Sequence, residues 1–135
     1  DRQGKNPVEQ VKCVLPREEL IAMQKDVQNV TSKDTILDYI TRLTFATRTH
    51  AAVEIGVSPR GALFLDRMAK AGAYLNGRDY VTGADVQEVF KDVYAHRILL
   101  KKDAAEVTVE KVLNEILKKT ESPDRRRCFA GLSKK

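Results

Sequence analysis

The run Ser58-Pro59-Arg60-Gly61 combines residue types that suit the start of a helix and the binding of an anion. Ser58 is a good N-cap, because its hydroxyl can accept a hydrogen bond from an amide one turn into the helix. Pro59 suits the first helical position, since its fixed φ matches a helix and its missing N–H removes no bond. Gly61 adds no side chain to this turn. The run therefore predicts a helix that begins at Ser58 and carries Arg60 in its first turn.

The positive charge of Arg60 is unusual in the first turn of a helix. A cation there opposes the positive end of the helix dipole. It becomes favourable if an anion binds, because free backbone amides and a guanidinium then point at the same charge. We interpret Arg60 as a residue that binds a phosphate which the chain does not itself hold. The alternative is a surface arginine paired with a neighbouring carboxylate, and the residues alone leave both interpretations open.

The rest of the sequence carries no other recognisable site for chemistry. It has no G-x-x-x-x-G-K-[ST] phosphate loop, no G-x-G-x-x-G run and no His/Cys cluster with metal-ligand spacing. Neither His50 nor His96 lies near a plausible nucleophile, and we expect His96 at the edge of the core with its hydrogen bond satisfied. The acidic residues are scattered, so no carboxylate pair for acid–base catalysis can be chosen. We expect no metal site and no turnover by the chain alone.

Length and composition predict one globular domain. The chain has 135 residues, of which 42% are hydrophobic and 6% aromatic, with no tryptophan, so we expect an aliphatic core. Cys13 and Cys128 lie far apart, and we expect both to be reduced in the cytoplasm. No apolar run approaches the roughly 20 residues that span a bilayer. The first residues do not resemble a signal peptide, so we expect none, and because the sequence begins without methionine we expect it to be part of a longer protein.

The positive charge is concentrated at the C-terminus. The net charge is +5, and the residues from Ser122 onward hold five basic groups against one acidic group. The preceding residues are therefore nearly neutral, which weakens the case for a domain built to bind nucleic acid. A small helical nucleic-acid-binding module remains the alternative function, because helix–turn–helix spacing and the basic tail permit it. A purely structural interaction bundle is a third.

Hydrophobic periodicity predicts an all-α bundle of five or six helices. The expected helices span about residues 7–14, 16–29, 33–49, 58–76, 83–99 and 108–121. The expected buried positions are Leu20, Met23, Val27, Val30, Ile36, Tyr39, Ile40, Leu43, Ala46, Ala62, Leu65, Ala69, Gly72, Ala73, Val86, Val89, Phe90, Val93, Val112, Leu113, Ile116 and Leu117. The small residues of the central helix predict that another helix packs closely against it.

Turn and cap signals set the boundaries between these helices. Asn76-Gly77 predicts a helix stop, Thr82 with Asp85 predicts a capping box, and Thr108 predicts an N-cap. Residues 50–57 are expected to form a linker and residues 101–107 a charged loop. Three parts follow: a linker over residues 1–15 that could contain a short helix, a helical domain over residues 16–121, and a basic, disordered tail over residues 122–135.

Six blocks of the sequence resemble, in order, the C-terminal lid of MoxR-type AAA+ ATPases, and magnesium-chelatase ATPase subunits share part of the pattern. The blocks are Tyr39-Ile40-x-x-Leu43, Ala46-Thr47-Arg48-x-His50, Gly56-Val57-Ser58-Pro59-Arg60, Gly77-Arg78-Asp79-Tyr80-Val81-Thr82, Asp85-Val86 and Ala95-His96-Arg97. The resemblance covers roughly residues 7–121, and the ordered succession is more specific than any single block. Gly61 and Gly83 stand where the family more often has Ala and Pro.

The resemblance implies a function for the anion-seeking arginine. Arg60 would be the sensor-2 residue, which reaches ATP, and Ser58, Pro59 and Gly61 would flank it in nucleotide binding. ATP and Mg would be held mainly by the protein's own ATPase core, which lies outside this chain. The parent would be an ATPase that forms a ring, expected to be a hexamer, in chaperone-like or metal-insertion maturation of client proteins. Its partners often include a von Willebrand factor A-domain protein.

Three further arginines lie inside the blocks. For Arg48, Arg78 and Arg97, a structural salt bridge or a contact with a helix end is the expected role. Arg78 follows a helix stop and could clip neighbouring loops together.

Overall fold

The computed structural model describes residues 11–102 and 107–124. Within these residues there are five α-helices: α1 (Arg17–Asn29), α2 (Asp34–Thr49), α3 (Pro59–Leu75), α4 (Gly83–Tyr94) and α5 (Val109–Lys119). Two short antiparallel strands, β1 (Val53–Ile55) and β2 (Leu99–Leu100), form a small sheet. The predicted all-α fold is confirmed. None of the helices described is long and apolar enough to cross a membrane.

The centre of the molecule is the contact between α3 and α4. Leu65, Ala69 and Ala73 of α3 are fully buried. The small side chains of Ala69 and Ala73 let α4 approach closely, as the spacing predicts. Most of the largest fully buried side chains come from α2, α3, α4 and α5, and they include Tyr39, Leu43, Leu65, Phe90, Tyr94 and Leu113. The core therefore joins four of the five helices.

The C-terminus of α3 ends at a glycine in the left-handed conformation. Gly77 has φ 70°, which a glycine adopts without the strain that other residues would suffer. Its N–H donates to the carbonyl of Tyr74, and the N–H of Arg78 donates to the carbonyl of Ala73, both at 2.9 Å. These two bonds satisfy the last carbonyls of the helix in a Schellman motif. The predicted stop is confirmed, and it places Arg78 beside the start of α4.

The N-caps of α4 and α5 are also as predicted. Thr82 accepts a hydrogen bond from the N–H of Asp85, and the carboxylate of Asp85 accepts one from the N–H of Thr82, which completes a capping box. Thr108 accepts from the N–H of Lys111 at 3.2 Å. Each bond satisfies an amide that the helix itself leaves free.

The two strands were not predicted. Residues 50–57 were expected to be a linker, and the helix that begins at residue 83 was expected to reach about Leu99. Instead α4 ends at Tyr94, and Leu99 and Leu100 pair with Ile55 and Val53. Strands of two and three residues are too short to show a period in the sequence, and their partners lie far apart in the chain.

The N-terminal part packs less than expected. Residues 11–14 are not helical, and residues 7–10 of the expected short helix lie outside the described residues. α1 forms where predicted, but none of its residues is buried. Leu20, the first of its expected buried positions, is 45% exposed. The periodicity therefore predicted the helix correctly, but of its four expected buried positions Val30 alone, directly after the helix, is buried.

The C-terminal part packs more than expected. Ser122 is 7% exposed, and the carboxylate of Asp124 accepts a hydrogen bond from the N–H of Ala84 at 3.2 Å. The expectation of a disordered tail is therefore wrong for residues 122–124. They lie against Gly83, where a glycine leaves space for them. The remainder of the expected tail, residues 125–135, lies outside the described residues.

Candidate functional site

The start of α3 lies where the sequence predicts it, with Ser58 at the N-cap and Pro59 at the first helical position. The predicted cap bond is absent: the hydroxyl of Ser58 accepts no hydrogen bond from an amide of the first turn. The amide of Gly61, which this hydroxyl would have bound, donates instead to the carbonyl of Ser58 at 2.8 Å. The first turn is thus closed by the backbone. The hydroxyl of exposed Ser58 remains outside the cap.

The residue that precedes this turn is held by the end of α2. Val57 is fully buried. Its N–H donates to the hydroxyl of Thr47 at 3.0 Å, and its carbonyl accepts from Nε of Arg48 at 2.9 Å. The backbone N–H and carbonyl of Val57 are therefore both satisfied by neighbouring side chains of α2, which leaves the start of α3 little freedom to move.

Gly56 makes this arrangement possible by its lack of a side chain. A Cβ at this position would lie 2.7 Å from the Cα of Arg48. That atom belongs to the backbone of α2 and cannot turn away. The chain therefore crosses the end of α2 at a distance that only glycine permits.

Arg60 itself is exposed at the start of α3. Its guanidinium carbon lies 5.9 Å from the ring centre of Phe64, one turn further along the helix. No carboxylate of residues 11–102 or 107–124 forms an ion pair with Arg60. The described part of the chain thus gives no support to the interpretation of Arg60 as a surface arginine paired with a carboxylate.

A second arginine lies over the same ring. Arg97 follows α4 in a short 3₁₀ turn, and its guanidinium carbon is 4.8 Å from the ring centre of Phe64. Its Nε also donates to the carbonyl of Val93 at 3.0 Å, which is the helix-end contact that the sequence predicted. The role of Phe64 was missed. The spacing of Arg60 and Phe64, four residues apart on one helix, is the signal that could have indicated it.

Arg78 has a structural role at the other end of α3. Its guanidinium forms a two-pronged ion pair with Asp85, at 2.7 and 2.5 Å, and donates to the carbonyl of Tyr80. Burial alone would raise the pKa of Asp85, but the hydrogen bonds from Arg78 and Thr82 outweigh it and lower the pKa to about 2. The predicted clip between neighbouring segments is confirmed for Arg78.

The two histidines do not join the site. Nδ1 of His50 accepts from the N–H of Ala52 at 3.3 Å, and Nε2 lies 3.4 Å from a carboxylate oxygen of Glu115. His50 thus ties the end of α2 to α5. His96 is exposed, so its expected position at the edge of the core is wrong. Among the residues that the structure describes, no group of three or more His, Cys, Asp or Glu side chains could hold a metal ion.

Residues 45–116 match the family model described as the AAA lid domain. The matched range contains β1, α3, α4 and β2, together with Phe64 and the two arginines that lie over its ring. It covers more than half of the chain.

Three proteins illustrate the similarity. The chain is 35% identical over 127 residues to the uncharacterised protein YeaC of Bacillus subtilis, covering 93% of this chain and 40% of that protein. It is 35% identical over 133 residues to the chaperone MoxR1 of Mycobacterium tuberculosis, covering 90% of this chain and 35% of that protein. It is 47% identical over 49 residues to the protein MoxR of Methylorubrum extorquens. The chain thus spans about 40% or less of the length of these relatives.

The fold also resembles a solved structure. A crystal structure of a "putative ATPase" from Cytophaga hutchinsonii superimposes with a TM-score of 0.73 at 30% sequence identity. The superposition covers 78% of this chain and 35% of that one.

Proposed function

Because the chain belongs to the AAA lid domain family, we propose that it serves as the lid of a MoxR-type AAA+ ATPase and that Arg60 contacts the bound nucleotide. The observation that carries the proposal is the state of Arg60, an exposed guanidinium at a helix start that pairs with no carboxylate of the described residues. Val57, three residues before Arg60, is buried, and its N–H and carbonyl are both hydrogen-bonded to side chains of α2. Arg60 therefore projects from a fixed backbone.

The residues at this position fit one phosphate group rather than a whole nucleotide. Arg60 offers a planar fork that can bind two phosphate oxygens, and Pro59, Ser58 and Gly61 form the turn from which it projects. ATP and its Mg would therefore be held mainly by an ATPase core. Bound there, ATP supplies a γ-phosphate whose transfer to water develops negative charge. Arg60 would stabilise that charge and link its loss to a movement of the lid.

The wider assignment rests on the relatives. A MoxR-type protein of this kind would act in the cytoplasm as a ring, which we propose to be a hexamer, and would use the lid to relay nucleotide state between subunits. Chaperone-like work on a client protein agrees with the description of the Mycobacterium tuberculosis relative as a chaperone. Metal-insertion maturation and a von Willebrand factor A-domain partner belong to the same proposal.

The test replaces Arg60 by alanine in the full-length protein that carries this chain. We expect the rate of ATP hydrolysis to fall by at least roughly a hundredfold, the loss typical of removing one group that stabilises transition-state charge. Arg60→Lys should recover only part of the activity, because lysine keeps the charge but lacks the fork. The thermal midpoint of both variants should match that of the unmodified protein, since the Arg60 side chain is exposed.

Arg67 offers a matched control. It is another exposed arginine of α3, two turns beyond Arg60. Arg67→Ala should leave hydrolysis unchanged. An Arg60→Ala protein that folds and hydrolyses ATP normally would contradict the proposal and favour a purely structural bundle. DNA binding with a steep dependence on salt would favour the nucleic-acid alternative instead.

A further inference from the structure

We propose that Arg97 is a positioning residue for Arg60 and acts through the ring of Phe64. The inference rests on the proposed function of Arg60 and assigns a role to the segment that follows α4. Two guanidinium groups share one aromatic ring, at 4.8 Å for Arg97 and 5.9 Å for Arg60. The shared ring is therefore the physical link between the two arginines.

Arg97 is the fixed member of the pair. Its side chain is half-buried, and its Nε is bonded to the carbonyl of Val93 in the last turn of α4. Its stem runs along the first turn of α3, since a Cβ at Gly61 would lie 3.5 Å from its Cδ. The guanidinium of Arg97 thus sits on Phe64 with the support of two helices. Arg60, by contrast, is exposed and contacts the ring from its own helix only.

The small sheet holds the segments on both sides of this contact. β1 leads through Gly56 to the start of α3, and β2 follows Arg97 directly after Ile98. The two strands pair, and the N–H of Lys101 adds a bond to the carbonyl of Ala52 at 3.0 Å. The backbones that carry Arg60 and Arg97 are therefore connected to each other by hydrogen bonds as well as through the ring.

The charge of Arg97 has a direct consequence for Arg60. A ring attracts a cation over its face, so Phe64 gives Arg60 a preferred position. Two like charges near one ring also repel each other, which disfavours a position of Arg60 folded back onto the domain. Arg97 thereby limits how far the guanidinium of Arg60 can move across the ring and leaves it exposed to a phosphate. An anion that binds Arg60 would relieve part of the repulsion.

A double-mutant cycle in the full-length protein tests this role. Arg97→Met keeps the length of the stem and removes the charge, and Phe64→Leu keeps the apolar volume and removes the ring. Each should lower kcat for ATP hydrolysis roughly three- to fivefold, the ratio that a cation–π contact at a partly exposed site is worth. In the Arg60→Ala background each should change kcat by a factor of about one, because the residue that it positions is gone. Arg97→Lys keeps the charge and should retain most of the activity.

Arg42 provides the matched control. It also lies over an aromatic ring, that of Tyr39 at 5.5 Å, but it belongs to α2 and pairs with Asp38. Arg42→Met should leave kcat unchanged in both backgrounds. The thermal midpoint of each variant identifies losses that come from unfolding, and Arg97→Lys and Phe64→Leu test the role even if Arg97→Met folds poorly.

The outcomes separate this inference from the proposed function. A silent Arg60→Ala variant overturns both. A large loss in Arg60→Ala, with no loss in Arg97→Met and Phe64→Leu, overturns the positioning role alone. Equal losses from Arg97→Met with and without Arg60 also overturn it, because they would mean that Arg97 binds the phosphate itself or serves only the fold. Coupled losses, present only when Arg60 is present, support it.

Discussion

Asp85 joins two helices through one carboxylate, because Arg78 follows α3 and Thr82 precedes α4. The side chain of Asp85 is 3% exposed and accepts bonds from the guanidinium of Arg78 and from the amide and hydroxyl of Thr82. A buried carboxylate is stable in its charged form only when such donors replace water. The clip between α3 and α4 therefore depends on the ionisation of Asp85.

This dependence predicts a loss of stability in acid. The pKa of Asp85 is lowered to about 2 in the fold, below its value in the unfolded chain. The contribution of Asp85 to the free energy of unfolding is therefore complete above about pH 4 and is lost as the pH falls through about 2. A difference of about two pKa units corresponds to roughly 2.5 kcal/mol. Asp85→Asn should lower the free energy of unfolding by about this amount at pH 7 and by little at pH 2, measured by urea unfolding at several pH values.

Asp92 supplies the control for this measurement. It is an exposed aspartate on the same helix and makes no ion pair within the described residues. Asp92→Asn should change the free energy of unfolding by less than about 0.5 kcal/mol at either pH, as is usual for surface positions. If Asp85→Asn behaves like Asp92→Asn, the carboxylate does not carry the stability assigned to it.

At the scale of elements, the sequence predicted what local signals determine and missed what distant segments determine. The helix boundaries follow from Pro59, Gly77, Thr82 and Thr108, whose effects act within one turn. The strands and the segment 122–124 depend on partners far away in the chain, and no local pattern encodes those partners. The missing cap bond of Ser58 is an exception, because the competitor for the amide of Gly61 is local, namely the backbone carbonyl of Ser58 itself.

The start of α4 gives a prediction that reverses an expectation from helix propensity. Alanine normally stabilises a helix relative to glycine. At Gly83, however, a new Cβ would collide with the hydroxyl oxygen of Ser122 and lie 2.7 Å from a carboxylate oxygen of Asp124. Gly83→Ala should therefore displace the side chains of Ser122 and Asp124, break the bond from Ala84 to Asp124, and lower the free energy of unfolding by about 1 kcal/mol.

Gly72 is the matched control for this substitution. It lies inside α3, and a Cβ there would meet no atom within 4 Å. Gly72→Ala should raise the free energy of unfolding by about 0.5–1 kcal/mol, since only the propensity changes. Chemical denaturation of the two variants measures both signs. A stabilised Gly83→Ala protein would show that residues 122–124 do not press against the start of α4.

For the molecule as a whole, the ordered blocks of the sequence were more informative than any single residue. The resemblance to MoxR-type lids is confirmed by the family match over residues 45–116 and by the relatives. The position of Arg60 in the first turn of α3 was also predicted. Its neighbour Phe64 and the approach of Arg97 were not, because they depend on the packing of α4 and the turn after it against α3.

The five helices of the described residues differ in how firmly the rest of the molecule holds them. α1 has no buried residue, and Leu20 and Ile21 are 45% and 40% exposed. Few contacts fix it, among them a bond from Tyr74 of α3 to the carboxylate of Asp26 at 3.4 Å. A groove of about 820 Å³ separates part of its surface from α3. Most of the stability of a helix in a protein comes from packing, so α1 should open without the rest of the fold.

Hydrogen exchange measures this difference directly. The amides of α1 should exchange fastest among the described helices, whereas those of α3 near Ala69 should exchange only when the whole domain unfolds. α5 is the comparison of similar length, 11 residues against 13, but it buries Val112, Leu113 and Ile116. If length set the protection, α1 and α5 would exchange alike. If buried apolar area sets it, α5 should exchange far more slowly than α1, and equal rates in the two helices would contradict the weak packing of α1.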